Sequence, residues 1–373
     1  MTHTLRFSCL AALSVCAAGV HAQAPAVAAS NVSLYGVIDA SVEHVSKVGA
    51  AGTGLTRMPS ITGTVPSRIG FRGTEDLGGG LRAAFTLEQG FTPSSGVLGQ
   101  GGRVFGRQAH VGVAGSWGSV TLGRQYTMLF WSVLDSDVLG PNIYGAGSLD
   151  SYIPNARADK SLGYRGTFNG VTVGATYSLG RDAVNAGPSP AGTNCPGELA
   201  GDTKACREWS ALLKYDQPAG GAALAIDRIT GGPAAFAGLT SSALNDTRVV
   251  LNGYARFGDA KVGAGLIRRT NDGSVATPKS DLLYLGMTYN LSPVVVLDAE
   301  YFRLKFKNSA NRASMLAARA TYSLSKRTAL YATMGSISND GSLAISVSSG
   351  APGSAPVAGG SQTGVALGVR HSF

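Results

Sequence analysis

Residues 67–90 read SRIGFRGTEDLGGGLRAAFTLEQG. Apolar and polar residues alternate there with a period of two, the mark of a strand with two unlike faces. Ile69 and Phe71, then Leu81, Ala83, Phe85 and Leu87, share one face. Arg68, Arg72, Arg82 and Glu88 take the other. A guanidinium keeps its charge at any physiological pH and only donates hydrogen bonds. Arginines repeated along one face can therefore hold or attract anions, but they are not acid–base or nucleophilic groups. Candidates for those roles are scarce. Beyond residue 22 the only histidines are His44, His110 and His371, and none has a metal-ligand spacing. There is no G-x-S-x-G and no G-x-x-x-x-G-K-[ST], and GQGGRVFG at 99–106 lacks the strand–helix setting of a dinucleotide loop. His110 lies on a plausible strand, but no neighbouring motif makes it half of a Ser–His pair. The pattern calls for no metal and no cofactor, and it does not suggest an enzyme.

The elements that must carry these arginines are suggested by composition. Of 373 residues 14% are charged, against roughly a quarter in a soluble domain, and 52 are glycine. MTHTLRFSCLAALSVCAAGVHAQ has one basic residue, an apolar run from Phe7 to Val20 and small residues ending at Ala22. That is a secretory signal peptide, with the cut placed after Ala22 and the mature domain over 23–373. The rival, a lipoprotein cut before Cys16, is disfavoured by Val15 in the preceding position. Loss of Arg6 takes the formal charge from +9 to +8. The cations are dispersed rather than clustered, which argues against nucleic acid and against a polybasic membrane anchor. Cys195 and Cys206 remain in a loop-like region, and in an exported protein such a pair forms a disulfide.

About sixteen period-two segments follow, starting near Val32, Thr64, Gly80, Val104, Ser119, Lys160, Val171, Glu208, Ala222, Thr247, Ala260, Ser280, Pro293, Ala313, Arg327 and Gln362. Their connectors alternate. Short ones lie at 115–118, 168–170, 216–220, 258–260, 291–293 and 324–326. Long ones lie at 46–63, 92–103, 126–159, 181–207, 231–246, 271–279 and 339–361. An even strand count, with short turns at one end and long loops at the other, is the pattern of an outer-membrane barrel. A spanning sheet has to close, with apolar residues toward lipid and polar residues toward the lumen. The competing reading is a soluble sandwich with a wet outer face. Strand-end aromatics, Tyr35, Phe91, Tyr126, Tyr164, Tyr177, Tyr215, Phe257, Tyr289, Tyr301 and Tyr322, are candidates for interfacial girdles. GTEDLGGG reads as a periplasmic turn.

Several motifs together resemble the general porins of β-proteobacteria such as Burkholderia, Bordetella and Comamonas. They are VSLYGVIDASVE, SRIGFRGTEDLGGGLRAAFTLEQGF, GGRVFGRQAHVGVAGSWGSVTLGRQY, LSKRTALYATMGSISN and the terminal GVALGVRHSF. The resemblance spans essentially the whole mature chain. It implies an all-β, 16-stranded antiparallel transmembrane β-barrel in the cell outer membrane, assembled as a homotrimer, with the third long loop, 126–159, folded inward. It implies a pore constriction with basic residues at Arg68, Arg107 and Arg157 facing acidic Asp135 and Asp137 of LDSDVLG, and the alternation adds Arg72 and Arg82 to that basic wall. It also implies that Phe373 is the signal read by the outer-membrane assembly machinery. Two phases conflict with this scheme. Arg107 is in step with Ala109, Val111 and Val113, and Arg124 with Val120 and Leu122. We expect a bulge to return Arg107 to the lumen, and Arg124 to lie at the subunit interface. The expected function is passive diffusion of small hydrophilic solutes and ions, with a preference for anions. The alternatives are a substrate-selective channel, with Tyr126, Phe130, Trp131 and Tyr144 stacking on a solute, and a structural or adhesive barrel.

Overall fold

The structure is a computed structural model describing residues 31–181, 195–233, 235, 238–349 and 353–373. The signal peptide expected at 1–22 lies outside them. One sheet contains every strand. In chain order these are β1 (Asn31–Val48), β2 (Thr53–Arg57), β3 (Arg68–Gly78), β4 (Leu81–Gly90), β5 (Gln108–Gly115), β6 (Gly118–Tyr126), β7 (Arg157–Phe168), β8 (Val171–Ser178) and β9 (Glu208–Gln217). They continue as β10 (Gly220–Thr230), β11 (Asn245–Phe257), β12 (Ala260–Asn271), β13 (Lys279–Ser292), β14 (Val295–Phe306), β15 (Arg312–Ser323), β16 (Thr328–Asp340) and β17 (Ser361–Ser372). Each pairs antiparallel with its neighbours, and β1 closes the ring on β17 from Val37↔Ser372 to Val45↔Gly364. On its other edge β1 pairs with β3 up to Val37↔Arg68 and then with β2 from Glu43↔Arg57.

Sixteen long strands therefore form the closed barrel, as the resemblance implied. β2 is a five-residue spur inside the first long connector, which the alternation pattern left as loop. β3 also runs through GTED to Gly78, so the turn there is only Gly79–Gly80.

The two faces are chemically opposite. On β13, Leu283, Leu285, Met287 and Tyr289 are exposed while Leu282, Tyr284 and Gly286 are buried. The outer surface is largely apolar, with Leu251, Leu316 and Leu367 among its exposed residues. Buried charges such as Asp39, Glu88, Arg248, Asp298 and Glu300 point inward. Exposed oil and buried charge is the inverse of a soluble fold, and it is stable only where lipid wets the outside.

The connector 126–159 lies against this inner face. Its helix Met128–Val133 and its helical turns Ala146–Leu149 and Ile153–Asn155 are almost wholly buried. The Met128 N–H donates to Ser210 Oγ on β9 at 2.9 Å, and Ser136 Oγ meets the Tyr284 hydroxyl on β13 at 2.6 Å. The Leu139 N–H donates to Glu300 Oε2 on β14 at 3.0 Å. Leu129, Ile143 and Leu149 pack with Val250, Ile267, Leu282, Phe302, Met315 and Ile337. The main apolar core thus sits inside the barrel, between this segment and the wall from β9 to β17. That corrects the expectation of a polar lumen face. Where the segment covers the wall, many inward positions are apolar, because water is excluded there. Unbroken runs such as Val249-Val250-Leu251 and Leu282-Leu283 carry that signal in the sequence.

The last long connector also turns inward. Ile345 and Val347 join the same core. The Ser349 N–H donates to Ile143 O at 2.9 Å, and Ser148 Oγ donates to Val347 O at 2.7 Å. Arg57 of β2 reaches Ser348 Oγ at 2.8 Å. Cys195 and Cys206 are joined as a disulfide in the connector between β8 and β9.

Tyr144 fits against two glycines of the wall. A Cβ on Gly335 would stand 2.8 Å from Tyr144 Cγ, and one on Gly364 would stand 2.6 Å from Tyr144 Cε1. Gly335→Val should therefore displace Tyr144 and loosen 126–159 while the ladder survives. The expected result is unchanged heat-modifiable mobility on SDS gels, with severalfold faster proteolysis within 126–159. A protease pattern identical to wild type would show that this contact does not seat the segment.

Candidate channel constriction

β3 carries Arg68 opposite Gly90, and β4 carries Glu88 opposite Gln108. Arg107 stands one residue before β5, and Arg157 is the first residue of β7. These four meet on one stretch of inner wall. The Glu88 carboxylate accepts from Arg107 Nε at 2.7 Å and from the Tyr35 hydroxyl at 3.0 Å, with Arg68 Nε at 3.5 Å. The Tyr126 hydroxyl accepts from Arg107 Nη2 at 2.8 Å and from Arg157 Nη2 at 2.7 Å. The Arg157 guanidinium also lies 4.5 Å from the centroid of the Tyr126 ring, which stacks on Phe130 at 3.7 Å.

Arg68 and Arg107 share the Glu88 carboxylate and Arg157 joins them through Tyr126, so three guanidinium groups and one carboxylate give the cluster a net charge of +2. Arg107 and Arg157 are buried, whereas the Arg68 side chain is 25% exposed. Arg68 is thus the member that water reaches, and the other two support the field behind it.

Tyr126 and Tyr35 were expected at the girdle. Both instead turn inward, where the Tyr35 hydroxyl donates to Glu88 and the Tyr126 hydroxyl accepts from Arg107 and Arg157. Tyr177, Tyr215, Phe257, Tyr289, Tyr301 and Tyr322 are exposed on the outer face.

The phase conflicts resolve differently from expectation. No bulge is needed at Arg107. It precedes the ladder of β5, its N–H donates to Glu88 O at 3.0 Å, and its side chain is free of strand alternation. The register shift falls instead between Gly123 and Gln125 on β6, where Gly123 has φ +127°. It turns Arg124 into its own chain. Arg124 Nε donates to Gly106 O at 2.7 Å, and Nη1 pairs with Asp159. Arg124 is therefore covered by its own chain and needs no neighbouring subunit to shield it. A local excess residue that re-aims a side chain is the usual effect of a bulge.

Arg72 and Arg82 do not join the cluster. Arg72 lies over the Tyr35 ring at 5.2 Å, and Arg82 pairs in register with Asp76. At a rise of ~3.3 Å per residue they sit about 13 Å and 26 Å along the strand from Arg68. The loop carboxylates also have other partners. Asp135 Oδ2 is 2.5 Å from Lys214 Nζ on β9, and the same ammonium is 2.9 Å from Asp216. Asp137 is buried, accepts the Gly140 N–H at 2.7 Å and lies near Glu300. Burial pushes the Asp137 carboxyl above the usual carboxylate range. Arg319 sits alongside, bonded to Asp298 at 2.8 Å and to Leu139 O at 3.3 Å. The acid that meets the arginines is Glu88 of the wall. Its position inside the opening motif was visible in the sequence, but its pairing with Arg107 across β4 and β5 was not.

Further round the wall Arg248 bonds Asp150 at 2.8 Å and Asp246 at 3.1 Å, and the Tyr152 hydroxyl is 2.8 Å from both Glu208 and Asp227. These networks are fully buried. They fasten 126–159 to β9, β10 and β11, away from the Arg68 side.

The sequence pattern of the Gram-negative porins matches residues 10–342. Outer membrane porin protein 32 of Delftia acidovorans is 28% identical over 98% of this chain and 99% of its own. An outer membrane porin protein of Bordetella pertussis is 35% identical over 43% of this chain and 47% of its own. Among solved structures, an anion-selective porin from Comamonas acidovorans superposes with a TM-score of 0.74 at 25% identity, covering 92% of this chain and all of its own. OmpT of Vibrio cholerae, at 16% identity and a TM-score of 0.64 over 92% of this chain, shares the fold. With a closed sixteen-strand ring, an apolar exterior and a charged interior, the chain belongs to the Gram-negative porin family.

Proposed function

We propose that this porin forms a water-filled outer-membrane channel that prefers anions, with Arg68, Arg107 and Arg157 as the basic wall of its constriction. The observation that carries the reading is the net +2 of a cluster whose only carboxylate is Glu88. A unit charge ~5 Å from a permeating ion is worth about 0.8 kcal/mol in water, a factor of about four in local concentration. Charged groups lining a narrow aqueous path bias which ions enter. The likeness to an anion-selective porin supports the same sign. Solute passage is diffusion, with no bond made or broken.

Export by a signal at 1–22, assembly as a homotrimer and docking of Phe373 on the assembly machinery belong to the same proposal. Phe373 exchanges backbone hydrogen bonds with Gly36 at 3.0 and 3.1 Å at the closure seam and leaves its ring partly exposed, which supports an accessible terminal signal. A channel selective for ring-bearing solutes has less support. Tyr126 and Phe130 already stack on each other, and Tyr144 is wholly buried.

Reversal potentials across planar bilayers in a potassium chloride gradient test the reading. Wild type should favour chloride, more so at low salt where screening is weaker. Arg68→Glu takes the cluster from +2 to neutral, and the chloride-to-potassium permeability ratio should fall severalfold. Cation preference in wild type would overturn the proposal, and an unchanged ratio in the variant would remove Arg68 from it. Deleting Phe373 should lower the amount of folded protein in the outer membrane, while protein refolded in detergent conducts as wild type. Equal amounts in the membrane would argue against the terminal signal.

A further inference from the structure

Next to the basic cluster lies a recess of about 210 Å³, between the helix Met128–Val133 and the inner wall of β4 to β7. Thr86, His110, Thr121 and Arg165 line it from four successive strands, and Trp131 of the helix covers it. Gly163 lies opposite Thr121 and lets the Gln125 side chain lie flat against the wall, since a Cβ there would stand 2.4 Å from Gln125 Oε1. Tyr126 is the partition: one side lines the recess, and its hydroxyl holds Arg107 and Arg157 of the cluster. Arg165 is eight residues along β7 from Arg157, toward the short connector 168–170. At ~3.3 Å per residue their backbones are about 26 Å apart along the strand, so Arg165 is not a fourth member of the cluster.

Two polar groups in this recess are left open. The Arg165 guanidinium stacks 3.8 Å from the centroid of the Trp131 ring. Stacking covers one flat face of the group and leaves the N–H donors along its edge. Among the described residues Arg165 has no carboxylate partner, and Glu88 of the same wall is taken by Arg107, Arg68 and Tyr35. The second open group is on His110. Its Nε2 lies 3.4 Å from Gln108 Oε1, and its Nδ1 is buried with no hydrogen-bond partner. An amide oxygen only accepts, so the imidazole proton sits on Nε2 and Nδ1 is left as an acceptor. Buried polar atoms without a partner are uncommon, and each calls for an explanation. Gln125, by contrast, is engaged by Thr121 at 2.5 Å and by Ser161 at 3.1 Å.

The recess thus offers one cationic fork and one neutral acceptor. The fork matches a carboxylate, which it can meet with two parallel hydrogen bonds. The acceptor matches a hydroxyl. A single uncompensated charge suits a monoanion, because a dianion would bring a second charge with nothing to meet it. The volume holds about seven waters at ~30 Å³ each, which limits the guest to about three or four carbons.

We propose that Arg165 and His110, beneath Trp131, form a binding site for a short 2-hydroxy monocarboxylate on the short-turn side of the constriction. The carboxylate accepts from the edge of Arg165, and the hydroxyl donates to His110 Nδ1. The site rests on the water-filled lumen of the channel reading but not on the ion preference set at Arg68.

The test is saturation-transfer NMR on the intact purified protein in detergent at neutral pH. The probes are lactate and propionate, which share a carboxylate and a carbon count and differ in the hydroxyl. Wild type should bind lactate about fivefold more tightly, the worth of one hydrogen bond. Arg165→Gln should abolish saturable binding of both acids. His110→Phe, which keeps a ring and removes the acceptor, should weaken lactate to the propionate level and leave propionate as it was. Heat-modifiable mobility checks that both variants are folded. Arg68→Glu should keep the wild-type ratio of the two acids whatever it does to the reversal potential, which separates failure here from failure of the anion reading. Equal binding of the two acids by wild type, undiminished binding by Arg165→Gln, an unchanged ratio in His110→Phe, or loss of the ratio in Arg68→Glu would each overturn the proposal. Complete displacement of lactate by equimolar inorganic phosphate would identify an unselective anion site and overturn the hydroxy-acid assignment.

Discussion

Backbone amides in a bilayer have no water to bond with, and every consequence of this fold follows from that constraint. A sheet can cross lipid only if its first and last strands meet, so β1 must find β17. Closure makes an inside and an outside, and the solvent on each dictates the side chains. Lipid selects Leu283, Leu285 and Met287 for the outside. Inside, the choice depends on what else is present, and the connector 126–159 divides it. Under the segment the wall mixes apolar residues with buried, fully paired charges. Away from it the wall is charged, and the guanidinium groups of Arg68, Arg107 and Arg157 find room there.

The polar interior is held by pairing rather than by hydration alone. Arg107 and Arg157 are buried cations, and each depends on Tyr126 or Glu88 to offset its lost solvation. A buried pair of this kind adds little net stability, but it fixes where the charges stand. Fixed charge is what a channel needs, because an ion passing Arg68 responds to groups that cannot rearrange to follow it.

Much of this was legible in the sequence. Period-two alternation located all sixteen barrel strands to within a few residues, because lipid and lumen impose opposite choices on neighbouring side chains. The opening motif placed Arg68 and Glu88 on one face correctly. Legibility failed where a contact joined distant segments. Asp135 pairs with Lys214 and Asp137 meets Glu300, and nothing within LDSDVLG encodes either partner. It also failed where alternation itself breaks, at the Gly123 bulge that re-aims Arg124. The apolar inner wall was missed for a third reason. Val250 and Leu282 face inward beside outward Val249, Leu251 and Leu283, so both faces are apolar there and the alternation vanishes.

The inward segment has a consequence for how the molecule is made. The connector 126–159 leaves β6 early in the chain, yet its resting places are Ser210, Tyr284, Glu300, Gly335 and Gly364, all of which are synthesised after it. Its brace, Ser349 on Ile143, also lies near the end of the chain. Contacts of such sequence separation form slowly, because a long loop must close before they contribute. The aperture of this channel therefore cannot be set strand by strand. It reaches its final width only when the last strand is in place, so an unfinished barrel has no defined bore.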